Sequence, residues 1–355
     1  MPVMPKTMKA AVLTALRTPL KIAQITMPET LAVGQVLVKI HFSGICGSQL
    51  GEIDGAKGED KYLPHLLGHE ASGTVLAIGA GVRHIKVDDK VVLHWRKGLG
   101  IEAETPHFSC EGQKINAGAV TTFSEYAIVS ENRVTMIPAD SDLEVAALFG
   151  CAVTTGFGVV ENNAKLRIGE SVVVFGAGGI GLNIVQAAAL VSAYPIIAID
   201  LHDNKLDLAR AMGATHLINS GNVEARQAIL HIVGAGGVDA FIDNTGQPAI
   251  IEMGYTITKP QGRVTLVGVP RKGNDIKIYS LPLHFGKGLS GSHGGEAVPQ
   301  TDIPRYHDLY RHGRIQLKNL ITNFYTLDRI NEAIDGVRSG AIAGRCMIAM
   351  DKLEG

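Results

Sequence analysis

Residues 171–200 read SVVVFGAGGIGLNIVQAAALVSAYPIIAID, and this stretch decides the fold. It opens with an apolar, β-branched run, passes through a glycine-rich turn at 176–181, and then becomes alanine-rich, which favours a helix. A second apolar run ends at Asp200. Residues 171–199 carry no charge, but the glycines and Pro195 interrupt them. We therefore predict a strand, a turn, a helix and a buried strand, and not a membrane span.

The turn has the spacing GxGxxG that dinucleotide-binding proteins place between a strand and a helix. Gly176 permits the tight turn, Gly178 lets the backbone approach a pyrophosphate, and Gly181 lets the helix pack closely on the strand. The helix N-terminus attracts the phosphates. Asp200 follows Gly181 by 19 residues and is expected to accept hydrogen bonds from both ribose hydroxyls. Because this carboxylate would repel a 2′-phosphate, we predict NAD rather than NADP.

Two regions of the chain differ in their pattern of predicted strands and helices. From about residue 165 to 290, apolar strand candidates alternate with helical segments, a pattern typical of an α/β, doubly wound parallel sheet of the Rossmann kind. Residues 1 to about 150 contain short β-branched runs broken by glycine, which predict an irregular antiparallel β region. A length of 355 residues agrees with two domains.

The composition narrows the function classes. The chain is 46% hydrophobic and 19% charged, and its 33 basic and 34 acidic residues leave a net charge of −1. Such a balance gives no electrostatic reason to bind nucleic acid or an anionic membrane. No convincing signal peptide opens the chain. We therefore expect a cytoplasmic protein that acts on a small molecule, without nucleic-acid or membrane partners.

Three short segments hold candidate metal ligands. These are Cys46 in GICGS, His69 in GHE, and Cys151 in the pair GC. None of the four cysteines has CxxC spacing, so no zinc knuckle or thioredoxin-type pair is predicted. Two thiolates and one imidazole form a donor set of an open catalytic zinc site. The sequence thus favours a bound Zn²⁺.

Four motifs carry a resemblance to a known family: GICGS (44–48), GHEASG (68–73), GCAVTTGFG (150–158) and VFGAGGIGL (174–182). In this order and at these intervals, they resemble the zinc-dependent medium-chain dehydrogenase/reductase (alcohol dehydrogenase) family over essentially the whole chain. The resemblance implies a Rossmann NAD-binding domain at 153–294. It also implies a GroES-like catalytic domain built from 1–152 and 295–355, in which the C-terminal tail completes the N-terminal fold.

The resemblance also implies roles for individual residues. Cys46, His69 and Cys151 match the zinc ligands, and Glu70 matches an acid that approaches or transiently coordinates the metal. Ser48 matches the hydroxyl that takes the proton from the alcohol. Trp95 follows a strand where relatives place an aromatic residue of the substrate pocket, although core packing explains it equally well. The residues that match coenzyme-binding positions are Thr155 and Val267, Gly268 and Val269 near the nicotinamide, Gly176, Gly178, Gly179, Ile180 and Gly181 at the turn, Asp200 and Lys205 at the adenosine ribose, and Arg345 at the pyrophosphate.

The sequence departs from this family at three places. Many relatives hold a structural zinc with four cysteines in a lobe, whereas residues 96–108 contain no cysteine. We therefore expect one catalytic zinc per subunit and no structural zinc. Gln49 stands where an acid usually supports the zinc-binding histidine, and a neutral amide raises the basicity of that histidine less than a carboxylate would. Gly51 stands where many relatives end a proton relay with histidine, so the proton must leave through cofactor hydroxyls and water or through another group. His41, His65 and His94 are candidates for that group by proximity in the chain, although a surface or core role explains each of them as well.

The resemblance implies a reaction class. An alcohol is interconverted with its aldehyde or ketone by hydride transfer to NAD, and a polyol, a sugar derivative or a secondary alcohol all fit as substrate. FSCEG (108–112) and GSHGG (291–295) also resemble glutathione-dependent formaldehyde dehydrogenases. A zinc-free enoyl or quinone reductase and a non-catalytic nucleotide-binding protein are the remaining alternatives. The segment from Gly268 to Gly295 resembles the edge at which relatives pair their coenzyme domains, so a homodimer or homotetramer is expected.

Overall fold

The computed structural model describes residues 4–351, which form eighteen strands and nine α-helices. The strands are β1 (Thr7–Leu13), β2 (Lys21–Thr26), β3 (Gln35–Gly44), β4 (His65–Leu66), β5 (Glu70–Ile78), β6 (Lys90–His94), β7 (Phe108–Cys110), β8 (Gln113–Ile115), β9 (Tyr126–Ser130), β10 (Val134–Met136), β11 (Val172–Phe175), β12 (Ile196–Asp200), β13 (His216–Asn219), β14 (Val238–Asp243), β15 (Thr258–Leu266), β16 (Gly288–Gly291), β17 (Ile321–Thr326) and β18 (Arg345–Ala349). The helices are α1 (Gly47–Ile53), α2 (Leu143–Ala147), α3 (Ala152–Gly158), α4 (Gly179–Leu190), α5 (Asp203–Ala211), α6 (Ala225–Val233), α7 (Pro248–Ile257), α8 (Pro299–Arg311) and α9 (Ile330–Arg338).

The chain forms two compact units. One contains the residues up to Cys151 and those from Val298 onward, and the other is Ala152–Ala297. The sequence placed the corresponding boundaries at 152/153 and 294/295. The second unit is therefore inserted into the chain of the first.

The inserted unit, Ala152–Ala297, contains a parallel six-stranded sheet in the order β13-β12-β11-β14-β15-β16. This is the Rossmann strand order, in which the direction of winding reverses between β11 and β14. Strand β11, helix α4 and strand β12 follow one another as the opening stretch predicts, so the predicted βαβ unit is confirmed. Val173, Ile197 and Phe241 are fully buried in its core, which explains why these strands read as continuous apolar runs.

The other unit contains two mainly antiparallel sheets, one of five strands and one of seven. In the larger sheet, the late strand β18 pairs with β3, with Met347 opposite Gly44 and Ala349 opposite Phe42. Strand β17 adds to the outer side of β18 in parallel. The C-terminal segment thus completes the sheet begun by the N-terminal one, which confirms the GroES-like organisation implied by the resemblance.

Within residues 4–351, no single helix has the length and apolar character needed to cross a membrane. Two consecutive helical segments, Leu143–Gly150 and Ala152–Ala164, reach that length and apolar character only when taken together, and the chain bends by 51° between them.

The loop at residues 96–108 is held by hydrogen bonds to the end of strand β9. Glu131, which is 1% exposed, accepts the backbone N–H groups of Arg83, His84 and Ile101 at 2.6, 2.8 and 2.9 Å. The Ser130 hydroxyl accepts the N–H of Ala103 at 3.0 Å. Although burial opposes the charge, these three N–H groups hold the pKa of Glu131 below its ordinary value. A buried carboxylate therefore organises the segment that, by the resemblance, corresponds to the structural-zinc lobe.

We predict that Glu131→Ala lowers the free energy of unfolding by about 3 kcal/mol, because it leaves three N–H groups without their acceptor. Urea denaturation at pH 7 measures this, and Glu104→Ala, at an exposed position of the same loop, is the control. Because the pKa of Glu131 is lowered in the folded state, its contribution is present at neutral pH and is lost as pH falls below about 4. Equal stabilities of the two variants at pH 7 would contradict this role.

Candidate metal centre and active site

Cys46 is placed by the junction between strand β3 and helix α1. It is the N-cap residue of α1, and its backbone N–H donates to Gln49 Oε1 at 2.7 Å, which closes the first turn. The neighbouring Ile45 N–H donates to the carbonyl of Cys346 at 3.0 Å and so ties the junction to β18. The Cys46 side chain is therefore held by the backbone on both sides.

His69 and Cys151 reach the same place from two other segments. Gly68, immediately before His69, has φ +94°, and a Cβ there would meet Thr122 and the backbone of Phe123. Gly150, immediately before Cys151, lies against Glu70 and the carbonyl of Leu93, where a Cβ also has no room. Glycine before each ligand thus permits the close approach of chain segments that brings the ligands together.

The three predicted ligands do converge. One donor atom from each of Cys46, His69 and Cys151 lies within 4.8 Å of the other two, and His69 Nε2 is 3.3 Å from Cys151 Sγ. In the described part of the chain, this is the cluster of histidine, cysteine or acidic groups compact enough to hold a metal. Two sulfurs and one imidazole nitrogen fit Zn²⁺ by donor type, as in known zinc alcohol dehydrogenases.

A hydrogen bond between the thiols of Cys46 and Cys151 shifts their pKa values in opposite directions. A hydrogen bond from Cys151, together with the charge of Arg345, holds the pKa of Cys46 well below its ordinary value. The same hydrogen bond and burial raise the pKa of Cys151 well above its ordinary value. A divalent cation held by Cys46, His69 and Cys151 would replace the shared proton and allow both cysteines to be thiolates. By contrast, burial raises the pKa of Cys346 to about 12, so this nearby thiol stays neutral.

A buried ion pair lies beside the cluster. The Arg345 Nη2 atom donates to Glu70 Oε2 at 2.7 Å, its Nε atom lies 2.5 Å from Oε1, and Glu70 is fully buried. Burial opposes the charge of Arg345, but Glu70 and the cysteine sulfurs raise its pKa overall. With both thiolates formed, three negative charges face one positive charge. The remaining charge of −2 matches a divalent cation, which is a second indication that zinc fits.

Arg345 therefore makes a contact that the sequence did not predict. It pairs with Glu70, which lies 275 residues earlier in the chain. Its predicted position at the coenzyme pyrophosphate stays a prediction. The sequence shows only that Arg345 is a basic residue at the start of the last apolar run, RCMIAM. This pattern does not identify Glu70 as its partner.

Ser48 and Gln49 follow Cys46 on helix α1. The Ser48 hydroxyl oxygen is buried and has no hydrogen-bond partner among the described residues. A buried hydroxyl without a partner is uncommon and needs an explanation, and a substrate hydroxyl at the cluster would supply one. The Gln49 amide Nε2 lies 2.5 Å from His69 Nδ1, so it contacts the ligand histidine as the supporting acid does in relatives.

A cavity of about 870 Å³ opens beside the cluster, with His69 and Gly51 in its wall. Its lining is mixed, with apolar side chains such as Leu16 and Val120 beside basic ones (Lys57, Lys61, His107) and acidic ones (Glu52, Glu59, Asp60). Trp95 lies outside the described lining and is partly exposed, with the Arg96 guanidinium 5.8 Å from its ring centre. The structure therefore does not bury Trp95 in the core, and its place in a substrate pocket stays a prediction.

Two histidines near the cluster differ in character. His94 contacts the Arg96 carbonyl and the Thr135 hydroxyl, and burial lowers its pKa to about 4, so it is a neutral structural residue. His65 lines the cavity and lies 2.8 Å from Asp60 through Nε2, with Nδ1 at 2.9 Å from its neighbour's carbonyl. His65 was a candidate for the proton relay by its position in the chain, but its partner Asp60 was not predicted.

The glycine turn in the inserted unit adopts the predicted conformation. Gly176 has φ +97°, and a Cβ at Gly181 would collide with the carbonyl of Gly176, so each needs glycine. A Cβ at Gly178 would meet no atom within 4 Å, which leaves the turn open on that side. Helix α4 begins at Gly179, followed by Ile180, so its free N–H groups lie at the turn. This is the form of a phosphate-binding turn.

Asp200 ends strand β12 beside this turn. Its Oδ2 atom accepts the Ala177 N–H at 2.8 Å, and its Oδ1 atom accepts the N–H groups of Leu201 and His202 at 2.8 and 3.1 Å. Lys205 Nζ lies 3.8 Å from Oδ1. The carboxylate is thus held at the carboxyl edge of the sheet, where the predicted ribose contact requires it.

The predicted nicotinamide residues lie in two places of the inserted unit. Thr155 is buried in helix α3, and Val269 is 60% exposed. The N–H groups of Val267 and Gly268 donate to the carbonyl of Asp243 at 2.8 and 2.9 Å. The role of Asp243 in holding this turn was not predicted. Its position at the end of the apolar strand β14 is the feature of the sequence that could have indicated it.

Comparison with known proteins agrees with this organisation. Residues 179–311 match the sequence profile "Zinc-binding dehydrogenase", and residues 32–139 match "Alcohol dehydrogenase GroES-like domain". The chain is 31% identical to "Alcohol dehydrogenase class-3" of Cereibacter sphaeroides, over 94% of this chain and 97% of that protein. It is 32% identical to "S-(hydroxymethyl)glutathione dehydrogenase" of Paracoccus denitrificans, again over 94% and 97%.

Solved structures give the same result. Benzyl alcohol dehydrogenase from Acinetobacter calcoaceticus superposes with a TM-score of 0.87 at 29% identity, covering 98% of this chain and all 100% of that one. A zinc-binding dehydrogenase from Sinorhizobium meliloti 1021 bound to NADP has a TM-score of 0.77 at 25% identity, covering 97% and 100%. The folds, the cluster and the full-length similarity agree: the chain is an oxidoreductase of the zinc-dependent medium-chain alcohol dehydrogenase family.

Proposed function

We propose that this protein oxidises an alcohol to its aldehyde or ketone, or catalyses the reverse reduction, with NAD as hydride acceptor or donor. The observation that carries the proposal is the Cys46–His69–Cys151 cluster, with both cysteines buried, and the unpartnered Ser48 hydroxyl two residues from Cys46. A nucleotide-binding protein without catalysis has no use for this combination.

The residues divide the work of the reaction. Cys46, His69 and Cys151 hold zinc, which when bound supplies a Lewis acid for an alcohol or carbonyl oxygen. Arg345, which is itself paired with Glu70, helps to keep the pKa of Cys46 low. Ser48 accepts the proton from the substrate hydroxyl, while the carbon that carried this hydroxyl transfers a hydride to C4 of the nicotinamide. Gly51 has no side chain to continue the relay, so the proton leaves through water and cofactor hydroxyls.

The cavity beside His69 supports a hydroxyl-rich or otherwise polar alcohol as substrate. Lys57, Lys61 and His107 offer hydrogen-bond donors along its wall, together with the paired Asp60 and His65. Polar groups in a pocket favour ligands that pair with them, because unpaired ones lose hydrogen bonds to water. A polyol or sugar derivative meets this requirement better than a plain alkyl alcohol does.

A second candidate is the oxidation of S-(hydroxymethyl)glutathione. Relatives at 31–32% identity carry the name of that activity. Lys57 and Lys61 of the cavity attract the carboxylates of glutathione, whereas Glu52, Glu59 and Asp60 in the same wall repel them.

We predict that zinc-loaded enzyme reduces NAD with polyols or secondary alcohols more efficiently than with S-(hydroxymethyl)glutathione. Absorbance at 340 nm over such a panel measures this.

We also predict that Cys46→Ser and His69→Ala lose zinc, which plasma mass spectrometry measures. Turnover should fall at least about 1,000-fold, on the order expected for a lost metal site, while NADH binding persists. Turnover in metal-free variants, or higher kcat/KM with the glutathione adduct, would reject the first candidate.

The preference for NAD is supported by Asp200. Its buried carboxylate is fixed by three backbone N–H groups, so it cannot swing away from a 2′-phosphate without losing them. The relative that binds NADP shows that the family's fold also accepts the phosphorylated coenzyme. The local charge therefore decides between the two.

We predict that Asp200→Ser lowers the ratio of kcat/KM for NAD to that for NADP by about 10- to 100-fold, since one close repulsive charge contributes about 1–3 kcal/mol. Steady-state kinetics with both coenzymes measures the ratio. Asp203→Ser, at an exposed position on the same unit, should leave it unchanged. An unaltered ratio in Asp200→Ser would mean that the carboxylate does not face the ribose.

We further propose a homodimer formed through strand β16, and a cytoplasmic location in which the thiols stay reduced. Strand β16 ends the sheet order of the inserted unit, and Tyr279 and Phe285 beside it are each 70% exposed. An open strand edge flanked by exposed apolar side chains is a typical surface for self-association. No nucleic-acid or membrane partner is proposed.

Light scattering is therefore expected to give twice the chain mass of 37.6 kDa, or four times if dimers pair. Phe285→Asp should shift the protein toward the monomer, because it places a charge in the apolar patch. Ile168→Asp, at an 85% exposed apolar position elsewhere on this unit, should not. A monomeric wild-type protein would refute the proposal.

A further inference from the structure

Gln49 lies between two hydrogen-bonding groups of the metal cluster. It is fully buried on helix α1. Its Oε1 atom is 2.7 Å from the backbone nitrogen of Cys46, and its Nε2 atom is 2.5 Å from His69 Nδ1. One side-chain amide therefore connects the backbone of one zinc ligand to the ring of another.

The chemistry of these neighbours fixes the orientation of the amide. The Cys46 backbone N–H is always a donor, so the atom facing it must be the amide oxygen. The atom facing His69 is then the NH₂ group, which is a donor and requires Nδ1 to accept. A neutral imidazole that accepts at Nδ1 carries its proton on Nε2.

Nε2 is the His69 nitrogen that faces the cluster, at 3.3 Å from Cys151 Sγ. A nitrogen that carries a proton has no lone pair to offer a metal. For His69 to ligate through Nε2, the proton must move to Nδ1, where it meets the NH₂ group of Gln49. The single amide oxygen must then serve both the Cys46 N–H and the Nδ1–H.

A carboxylate at the same position has no such conflict. Its two oxygens accept one N–H each, from Cys46 and from Nδ1 of the histidine. Groups that orient a metal-binding histidine typically change metal affinity by about 10- to 100-fold. The amide of Gln49 is isosteric with a glutamate, so the comparison requires no change in length.

We propose that Gln49 is a positioning residue that disfavours the zinc-ligating form of His69 and makes the catalytic zinc more exchangeable than a carboxylate would. Zinc occupancy would then depend on the free zinc around the protein, which makes metal supply a control on the enzyme. The inference concerns metal affinity and does not rest on the identity of the alcohol.

The test compares zinc affinity in three full-length proteins by competition with a chelator, without measuring turnover. Gln49→Glu is expected to bind Zn²⁺ at least about tenfold more tightly than the wild type. Gln24→Glu is the matched control: it makes the same amide-to-carboxylate change at an exposed position of strand β2 in the same unit. It is expected to change the affinity less than about threefold, as an exposed charge does.

A second measurement needs no folded variant of Gln49. Nitrogen-15 NMR of the metal-free wild type, with labelled histidine and at a pH where the ring is neutral, reports which nitrogen of His69 carries the proton. Comparison with His69→Gln assigns the signal. A proton on Nε2 supports the proposal. A proton on Nδ1, or equal zinc affinities for Gln49→Glu and Gln24→Glu, would overturn it.

Discussion

The buried ion pair between Glu70 and Arg345 is the interaction on which the site depends. Its distances of 2.5 and 2.7 Å place a positive charge beside two thiols without exposure to water. Removing one partner of a buried pair typically costs about 3–5 kcal/mol, because the other charge is left uncompensated. Here the remaining charge would also change the balance around Cys46 and Cys151. Stability and metal binding therefore rest on the same contact.

The glycines around this pair explain how so many groups fit together. A Cβ at Gly44 would collide with Glu70, and one at Gly150 would meet both Glu70 and the carbonyl of Leu93. These glycines let the end of strand β3 lie against Glu70 of β5, and let the segment before Cys151 lie against Glu70 and Leu93 of β6. The ligand geometry is thus set by backbone packing, and the donor atoms need only short side chains to complete it. Gln49 works against this arrangement, because its amide donates to the Nδ1 atom of His69 and so favours a proton on the ring nitrogen that faces the cluster.

The sequence predicted the features that depend on local spacing. The turn at Gly176–Gly181 and the strand ending at Asp200 were readable because one short stretch contains the whole motif. The three zinc ligands could be grouped by chemistry and by resemblance, although each comes from a different segment. The partner of Arg345 and the three N–H groups on Glu131 could not be predicted, because they join residues far apart with no periodic signal. The Asp60–His65 pair depends likewise on loop geometry.

The insertion of one unit within the other has a consequence for biosynthesis. Cys46, His69 and Cys151 all precede the inserted unit, whereas Arg345 follows it. A ribosome therefore delivers the ligands well before Arg345, and strand β3 cannot pair with β18 until the whole inserted unit has been synthesised. Contacts of such long sequence separation form late and slowly. The nascent chain thus exposes reactive thiols for the time needed to synthesise an entire domain, and an early zinc ion or a chaperone would protect them.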